Sequence, residues 1–238
     1  MAKTDFYVDM WQELMDKGVW SGEVWNRRKD GEVYAQILNV SSVKDASGQI
    51  SNFVALFTDI TLMKEYEGQL KRIAHYDLLT NLPNRVLLAD RLSQAMLHCL
   101  RHEQLLAVVF LDLDGFKSVN DTYGHDIGDE LLIALSLRMK QALRGGDTLA
   151  RIGGDEFVAV LTDLNNVEDC QPVLNRLLLS ASKAFTIGDV VLNISASIGV
   201  SFYPRDSIDA NLLMRYADQA MYIAKKSGKN RYQLFNNG

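Results

Sequence analysis

The sequence predicts an α+β chain: a short β-meander, a linking helix, then a larger domain with a central antiparallel sheet flanked by helices. Three observations carry this. The segments ahead of residue 60 are rich in β-branched and aromatic residues and are cut by turn signals at Asp30-Gly31 and Asp45 to Gln49. Leu105 to Leu113 is an apolar run ending in carboxylates, as in a central strand buried on both faces. Asp126 to Leu143 places its apolar residues at helical spacing.

Taken in order, the first sixty residues read as strands. Gly22 to Arg28 and Glu32 to Val43 flank Asp30-Gly31, a two-residue hairpin signal because both positions tolerate φ > 0. Ile50 to Ile60 is a third strand. Three strands without a covering helix layer bury little, so the meander is expected to need a partner surface or further sequence. Leu62 to His75 is helical, with Met63, Tyr66, Leu70 and Ile73 at 3-4-3 spacing: a two-heptad seam or the inner face of an ordinary amphipathic linker. From Asp77 the pattern changes. Asn84 to Arg101, Asp126 to Leu143, Val167 to Phe185 and Asp209 to Lys226 are expected as helices. Leu105 to Leu113, Thr148 to Ile152, Phe157 to Leu161, Val190 to Tyr203 and Arg231 to Phe235 are expected as strands.

Composition narrows the function. With 47% hydrophobic and 23% charged residues, the chain suits a soluble globular protein. Its net charge of −5 argues against non-specific nucleic-acid binding, yet leaves room for a nucleotide held by a few cations and a metal. Cys99 and Cys170 read as buried thiols rather than a disulfide framework. No stretch is apolar for long enough to span a bilayer, and no signal-peptide pattern opens the chain. A cytoplasmic location without direct membrane contact is expected, although a longer parent protein could be membrane-tethered.

The carboxylates suggest a metal. Asp112 and Asp114 sit at the end of the apolar strand, where a carboxylate is costly unless paired or bound to a cation. They are expected on opposite faces, so that only one points at a given site. Asp155-Glu156 follows Gly153-Gly154, a tight turn that lets a ligand approach the backbone. If the two strands are neighbours, these carboxylates converge on an oxygen-rich site suited to Mg²⁺. Either piece alone would more commonly be a turn cap or a simple hairpin.

Arg151-Ile152-Gly153-Gly154-Asp155-Glu156-Phe157 resembles the signature loop of the GGDEF family of diguanylate cyclases. It is accompanied by segments similar to the family's others: Asp77 to Arg85, Asp112 to Asp121, Tyr123 to Asp129, Ala217 to Lys225 and Gly228 to Arg231. The matches run in order from about Asp77 to Phe235. The resemblance implies a palm-like, nucleotidyl cyclase/ferredoxin-like sheet over residues 77–238. It also implies a reaction, condensation of two GTP into cyclic di-GMP with release of pyrophosphate. Asp112, Asp155, Glu156 and the Leu113 carbonyl would hold Mg²⁺, two ions per site, with Mn²⁺ able to replace them. Asp155, Glu156 and Lys117 would act in catalysis, Glu156 as metal ligand or as base. Asn120, His125 and Asp129 would recognise guanine, whose N1–H and N2–H suit a carboxylate acceptor. Lys225 and Lys229 would reach the β- and γ-phosphates. Taken singly, Lys117 would be a solvated helix charge, Asn120 a cap and His125 a surface histidine. Two departures stand out: Asn81 where glycine is usual, and Lys229 where arginine is common, which keeps charge but loses the bidentate fork.

One such site holds one GTP, so a homodimer is implied, which the seam of Leu62 to His75 could join. Arg144-Gly145-Gly146-Asp147 matches the family's RxxD inhibitory site for cyclic di-GMP, and equally suits a helix end closed by Gly145. Trp20 to Glu23, Asn26 to Gly31 and Thr58 to Thr61 resemble the second part of a PAS sensor domain. Residues 1–61 are therefore expected to be a partial PAS domain without a reliable ligand or haem, residues 62–76 a signalling helix. The alternative reading is a catalytically weak GGDEF domain that binds GTP or cyclic di-GMP as a regulatory module. A purely structural PAS module would leave the catalytic-type residues unexplained.

Overall fold

The computed structural model describes residues 4–236 and separates the chain into two compact units, Met1–Arg72 and Ile73–Gly238.

The first unit opens with a helix, α1 (Thr4–Lys17), where strands were expected. Met10 and Leu14 are buried at i, i+4 spacing, and Gly18, at φ 79°, donates its amide to the Leu14 carbonyl at 2.9 Å. A helical face closed by a left-handed glycine is thus what the segment encodes. Strands β1 (Val19–Arg27), β2 (Val33–Lys44) and β3 (Ile50–Asp59) form the antiparallel meander. The first turn is longer than two residues. Arg28 N donates to Glu32 O at 2.8 Å around a type I-like turn in which Gly31 takes φ 96°, and Asp45 to Gln49 repeats the pattern with Gly48 at φ 83°. β3 is exposed along its whole length. The Asp59 carboxylate accepts from the Thr61 amide at 3.0 Å and the Thr61 hydroxyl at 2.6 Å as α2 (Thr61–His75) begins. These bonds, first those from Thr61 and then the pairing with Arg28, hold its pKa down at about 2. Met63, Tyr66, Leu70 and Ile73 are all exposed on α2.

The second unit comprises α3 (Arg85–His102), β4 (Leu105–Asp114), α4 (Phe116–Tyr123), α5 (His125–Ala142), β5 (Thr148–Gly153), β6 (Glu156–Leu164), α6 (Gln171–Ser182), β7 (Phe185–Ile187), β8 (Val190–Leu192), β9 (Ser195–Tyr203), α7 (Ala210–Lys226) and β10 (Arg231–Leu234). Five strands form one sheet in the order β10-β9-β4-β6-β5, antiparallel except that β10 runs parallel to β9. β4 is central, and its side chains alternate between two cores. Ala107, Val109, Leu111 and Leu113 pack with α5 and α6; Leu106, Val108 and Phe110 pack with α3 and α7.

Several expectations change here. Asp112 and Asp114 share a face, because residues two apart in a strand always do; both continue the α3/α7 side of β4. Phe116–Tyr123 is a helix, entered through Gly115 at φ 86°. Val167 to Phe185 is not one helix: a 3-10 turn, Val167–Cys170, precedes α6, and Phe185 belongs to a small hairpin turned by Gly188 at φ 54°. That hairpin also interrupts the expected strand from Val190 to Tyr203. Both cysteines are free and buried; burial raises both thiols, Cys170 to about 11.

Candidate functional site

The end of β4 meets the β5–β6 turn. Asp112 lies opposite Glu156 in the β4–β6 register, and Leu113 N donates to Asp155 O at 3.4 Å. The Gly153-Gly154 step makes this possible, with Gly154 in the left-handed region at φ 42°. From the last turn of α7, Lys225 Nζ comes within 2.6 Å of Asp112 Oδ1. Asp112 is only 8% exposed. Burial pushes its carboxyl up, Lys225 pulls it down, and the charges of Asp155 and Glu156 push it up again; the net shift is upward. Oδ1 also lacks a well-directed hydrogen bond, since the lysine approaches as an ion-pair partner. Asp112, Leu113, Asp155, Glu156 and Lys225 are therefore brought together.

Among the described residues no three His, Cys, Asp or Glu side chains enclose an ion by themselves. The donor set fits magnesium in its usual manner, one or two carboxylates completed by water and phosphate oxygens. Asp112 Oδ1, buried and held only by the Lys225 ammonium, is the atom such an ion would share.

Arg151 builds the loop from within. Its Nε and Nη2 donate to the Gly154 carbonyl at 2.9 and 2.8 Å, and its Nη1 donates to Asp77 at 3.0 Å. Asp77 in turn accepts from the Thr80 amide and hydroxyl. Burial pushes the Asp77 carboxyl up, but the bonds from Thr80 and Arg151 outweigh it and hold it low. Asn81 closes this turn at φ 56°, so asparagine does serve where glycine is usual. Asp77, Thr80 and Arg151 lie within the motif segments, yet residue type and spacing assign them no role. The available signal was a cation beside a glycine pair with a lone aspartate far upstream.

A second group lies where α4 meets α5. The Asn120 side-chain oxygen is buried without a partner, and it lies 1.9 Å from where a Cβ on Gly128 would stand. Asn120 thus occupies the space left by Gly128, next in sequence to the exposed Asp129. Lys117, His125 and Lys229 are exposed, with Lys229 in the left-handed region at φ 59°.

Arg144 and Asp147 belong to a different cleft, of about 410 Å³, lined also by Tyr76, Arg91 and Lys140. Asp147 closes its own turn, accepting from Arg144 N at 2.9 Å and from Thr162 N at 3.3 Å. The Arg144 side chain is exposed.

The family described as "Diguanylate cyclase, GGDEF domain" matches residues 74–231. The chain is 45% identical over 175 residues to the bifunctional diguanylate cyclase/cyclic di-GMP phosphodiesterase MucR of Pseudomonas aeruginosa, a match covering 74% of this chain and 25% of that protein. It thus spans about a quarter of that relative's length. The GGDEF domain of TpbB from Pseudomonas aeruginosa superposes with a TM-score of 0.65 at 35% identity, covering 67% of this chain and 99% of that one. The coiled coil and GGDEF domain of DgcB from Caulobacter crescentus, solved in complex with c-di-GMP, gives 0.65 at 26% identity, covering 74% and 93%. Among the described residues no helix is long and apolar enough to cross a membrane.

Proposed function

This chain belongs to the GGDEF diguanylate cyclase family, and we propose that it condenses two GTP molecules into cyclic di-GMP. In each of two rounds the 3′-oxygen of one GTP bonds to the α-phosphorus of the other, the bond to the β-phosphate oxygen breaks, and pyrophosphate leaves with its electron pair. The observation that carries this reading is the meeting of Asp112, the Asp155-Glu156 turn and Lys225 at one end of the sheet.

Asp112, Asp155, Glu156 and the Leu113 carbonyl would hold magnesium, which supplies positive charge against the charge building on the phosphates. Lys117, Lys225 and Lys229 add fixed cations for the triphosphate. Glu156 or Asp155 takes the proton of the attacking hydroxyl. Asn120, His125 and Asp129 bind guanine: the adjacent N1–H and N2–H of its edge suit the Asp129 carboxylate, an arrangement adenine lacks, and the buried Asn120 oxygen without a donor adds a further acceptor.

The test is incubation with GTP and magnesium followed by chromatography of the products. Cyclic di-GMP and pyrophosphate are expected from GTP, and neither from ATP. Because one site holds one GTP, specific activity should rise with protein concentration as copies pair. The exposed α2 seam of Met63, Tyr66, Leu70 and Ile73 is the surface proposed to join them. GTP binding without product would instead make the chain a regulatory binding module. We read residues 1–61 as the later part of a PAS domain acting through residues 62–76; deleting residues 1–61 should alter turnover without abolishing GTP binding by residues 77–238.

Gly128→Ala offers a sharp check on the guanine assignment. Alanine for glycine in a helix favours folding by up to about 1 kcal/mol, but here the new methyl would displace the Asn120 carboxamide. GTP affinity should fall about tenfold while the thermal midpoint holds or rises. Unchanged affinity would remove Asn120 from the site.

The cleft of Arg144, with Arg91 and Lys140 beside it, suits an anionic phosphodiester and is proposed to bind the product. Arg144→Ala should leave initial turnover intact and abolish its slowing by added cyclic di-GMP. Persisting inhibition would leave Asp147 only its turn-closing role.

A further inference from the structure

The second carboxylate of β4, Asp114, has no part in the roles above, yet it is buried and fully engaged. One oxygen accepts from Ser195 Oγ at 2.6 Å and from the Asn230 amide at 3.2 Å; the other accepts from Ser197 Oγ at 2.8 Å. In register, Asp114 lies opposite Ser195 on β9, and Ser197 lies opposite Arg231, the first residue of β10. One side chain therefore reaches across β9 to the backbone of the turn that leads α7 into β10.

That turn needs holding. Gly228, Lys229 and Asn230 take φ values of 113°, 59° and 45°, and only glycine enters that region freely. The Lys229 amide is tied to the Ala224 carbonyl at 3.1 Å, and the Asn230 amide to Asp114. Lys225, the partner of Asp112, stands at the end of the same helix. The two carboxylates of β4 thus hold two parts of one segment, Asp112 a lysine side chain and Asp114 the backbone.

We propose that Asp114 is a positioning residue: by gripping the Asn230 amide it fixes the strained turn that presents Lys229 to the triphosphate. This rests on the reading of the site as a GTP site. Asp114 touches no substrate and acts through Lys229.

The experiment measures GTP dissociation constants with magnesium for Asp114→Ala, Lys229→Ala and the double variant, and amide hydrogen exchange at Asn230. Asp114→Ala should weaken GTP about tenfold and speed Asn230 exchange at least roughly tenfold. In the Lys229→Ala background it should add less than about twofold, because its effect has already been lost. Asp114→Asn should stay within about threefold of the parent: its carboxamide oxygen still accepts from Asn230, and the Ser197 hydroxyl can turn to accept from its nitrogen. Should Asp114→Ala fail to fold, Ser195→Ala, which removes the hydroxyl that shares the Asp114 oxygen gripping Asn230, should speed Asn230 exchange and weaken GTP in the parent but not in the Lys229→Ala background; no change in either would overturn the proposal. Equal losses in both backgrounds, or unchanged Asn230 exchange, would overturn the proposal. Failure of the parent protein to bind GTP would instead sink the reading of the site itself, and this proposal with it.

Discussion

Gly199→Ala should strongly destabilise the second unit. Gly199 lies on β9 beneath α7, and a Cβ built there would stand 2.0 Å from the Ala217 carbonyl oxygen and 2.1 Å from the Met221 nitrogen. Both are backbone atoms of a helix and cannot swing aside. Ala217, Ala220 and Ala224 are fully buried on that face of α7, and the Ser201 hydroxyl donates to the Leu213 carbonyl at 2.8 Å, so helix and strand meet with almost nothing between them. Overpacking usually costs about 1–3 kcal/mol. A clash with fixed backbone should exceed that, at about 4 kcal/mol or more, a large part of the roughly 5–15 kcal/mol that holds a domain together. Urea unfolding followed by circular dichroism measures it. Gly145→Ala is the control: no atom lies within 4 Å of its Cβ position, and its stability should stay within about 0.5 kcal/mol of the parent. Equal midpoints for the two variants would contradict the close approach of α7 to β9.

Asp112→Asn should abolish turnover without weakening the fold. The asparagine cannot neutralise Lys225 and is a poorer ligand for magnesium, so kcat should fall about 10³-fold, equivalent to about 4 kcal/mol of transition-state stabilisation. Stability should move the other way. The folded state raises the carboxyl pKa of Asp112, chiefly by burial. Below the carboxylate range both states are protonated and this group costs nothing. As pH rises above the unfolded value of about 3.9, the unfolded chain releases its proton first and stability declines. Asparagine removes that decline. Without nucleotide or metal, the variant should therefore match the parent near pH 3 and equal or exceed it near pH 7, as read by thermal unfolding. Wild-type turnover in Asp112→Asn would end the proposal that this carboxylate serves the metal. A midpoint lowered at pH 7 would mean that the ion pair with Lys225 outweighs the burial cost.

The elements that could be read from the chain are those with a strong local signal. β4 is legible because a strand buried on both faces must be apolar throughout, and α5 because its buried residues recur at helical spacing. Asp209 and Asn84 announce the starts of α7 and α3, where their side chains accept from backbone amides of the first turn. The misses have local causes too. In α1 the buried Met10 and Leu14 are diluted by exposed Tyr7, Val8 and Trp11, which blurs the period. The β7–β8 hairpin is too short for a pattern, and its apolar residues merge with those of the neighbouring helix and strand.

By itself the sequence determined the carboxylates, the lysines and the glycine turn, along with the order in which they occur, since these are properties of residue type and spacing. Only the tertiary structure decided which of them meet. Asp112 and Lys225 lie far apart along the chain and join because α7 sits directly on β9, and Arg151 reaches Asp77 because β5 runs beside the Pro83 backbone. It also sorted Asp112 from Asp114, two carboxylates on one face that differ in what lies across the sheet from them. Side-chain chemistry is written locally, whereas a partner is chosen by packing between distant segments, which no local pattern encodes.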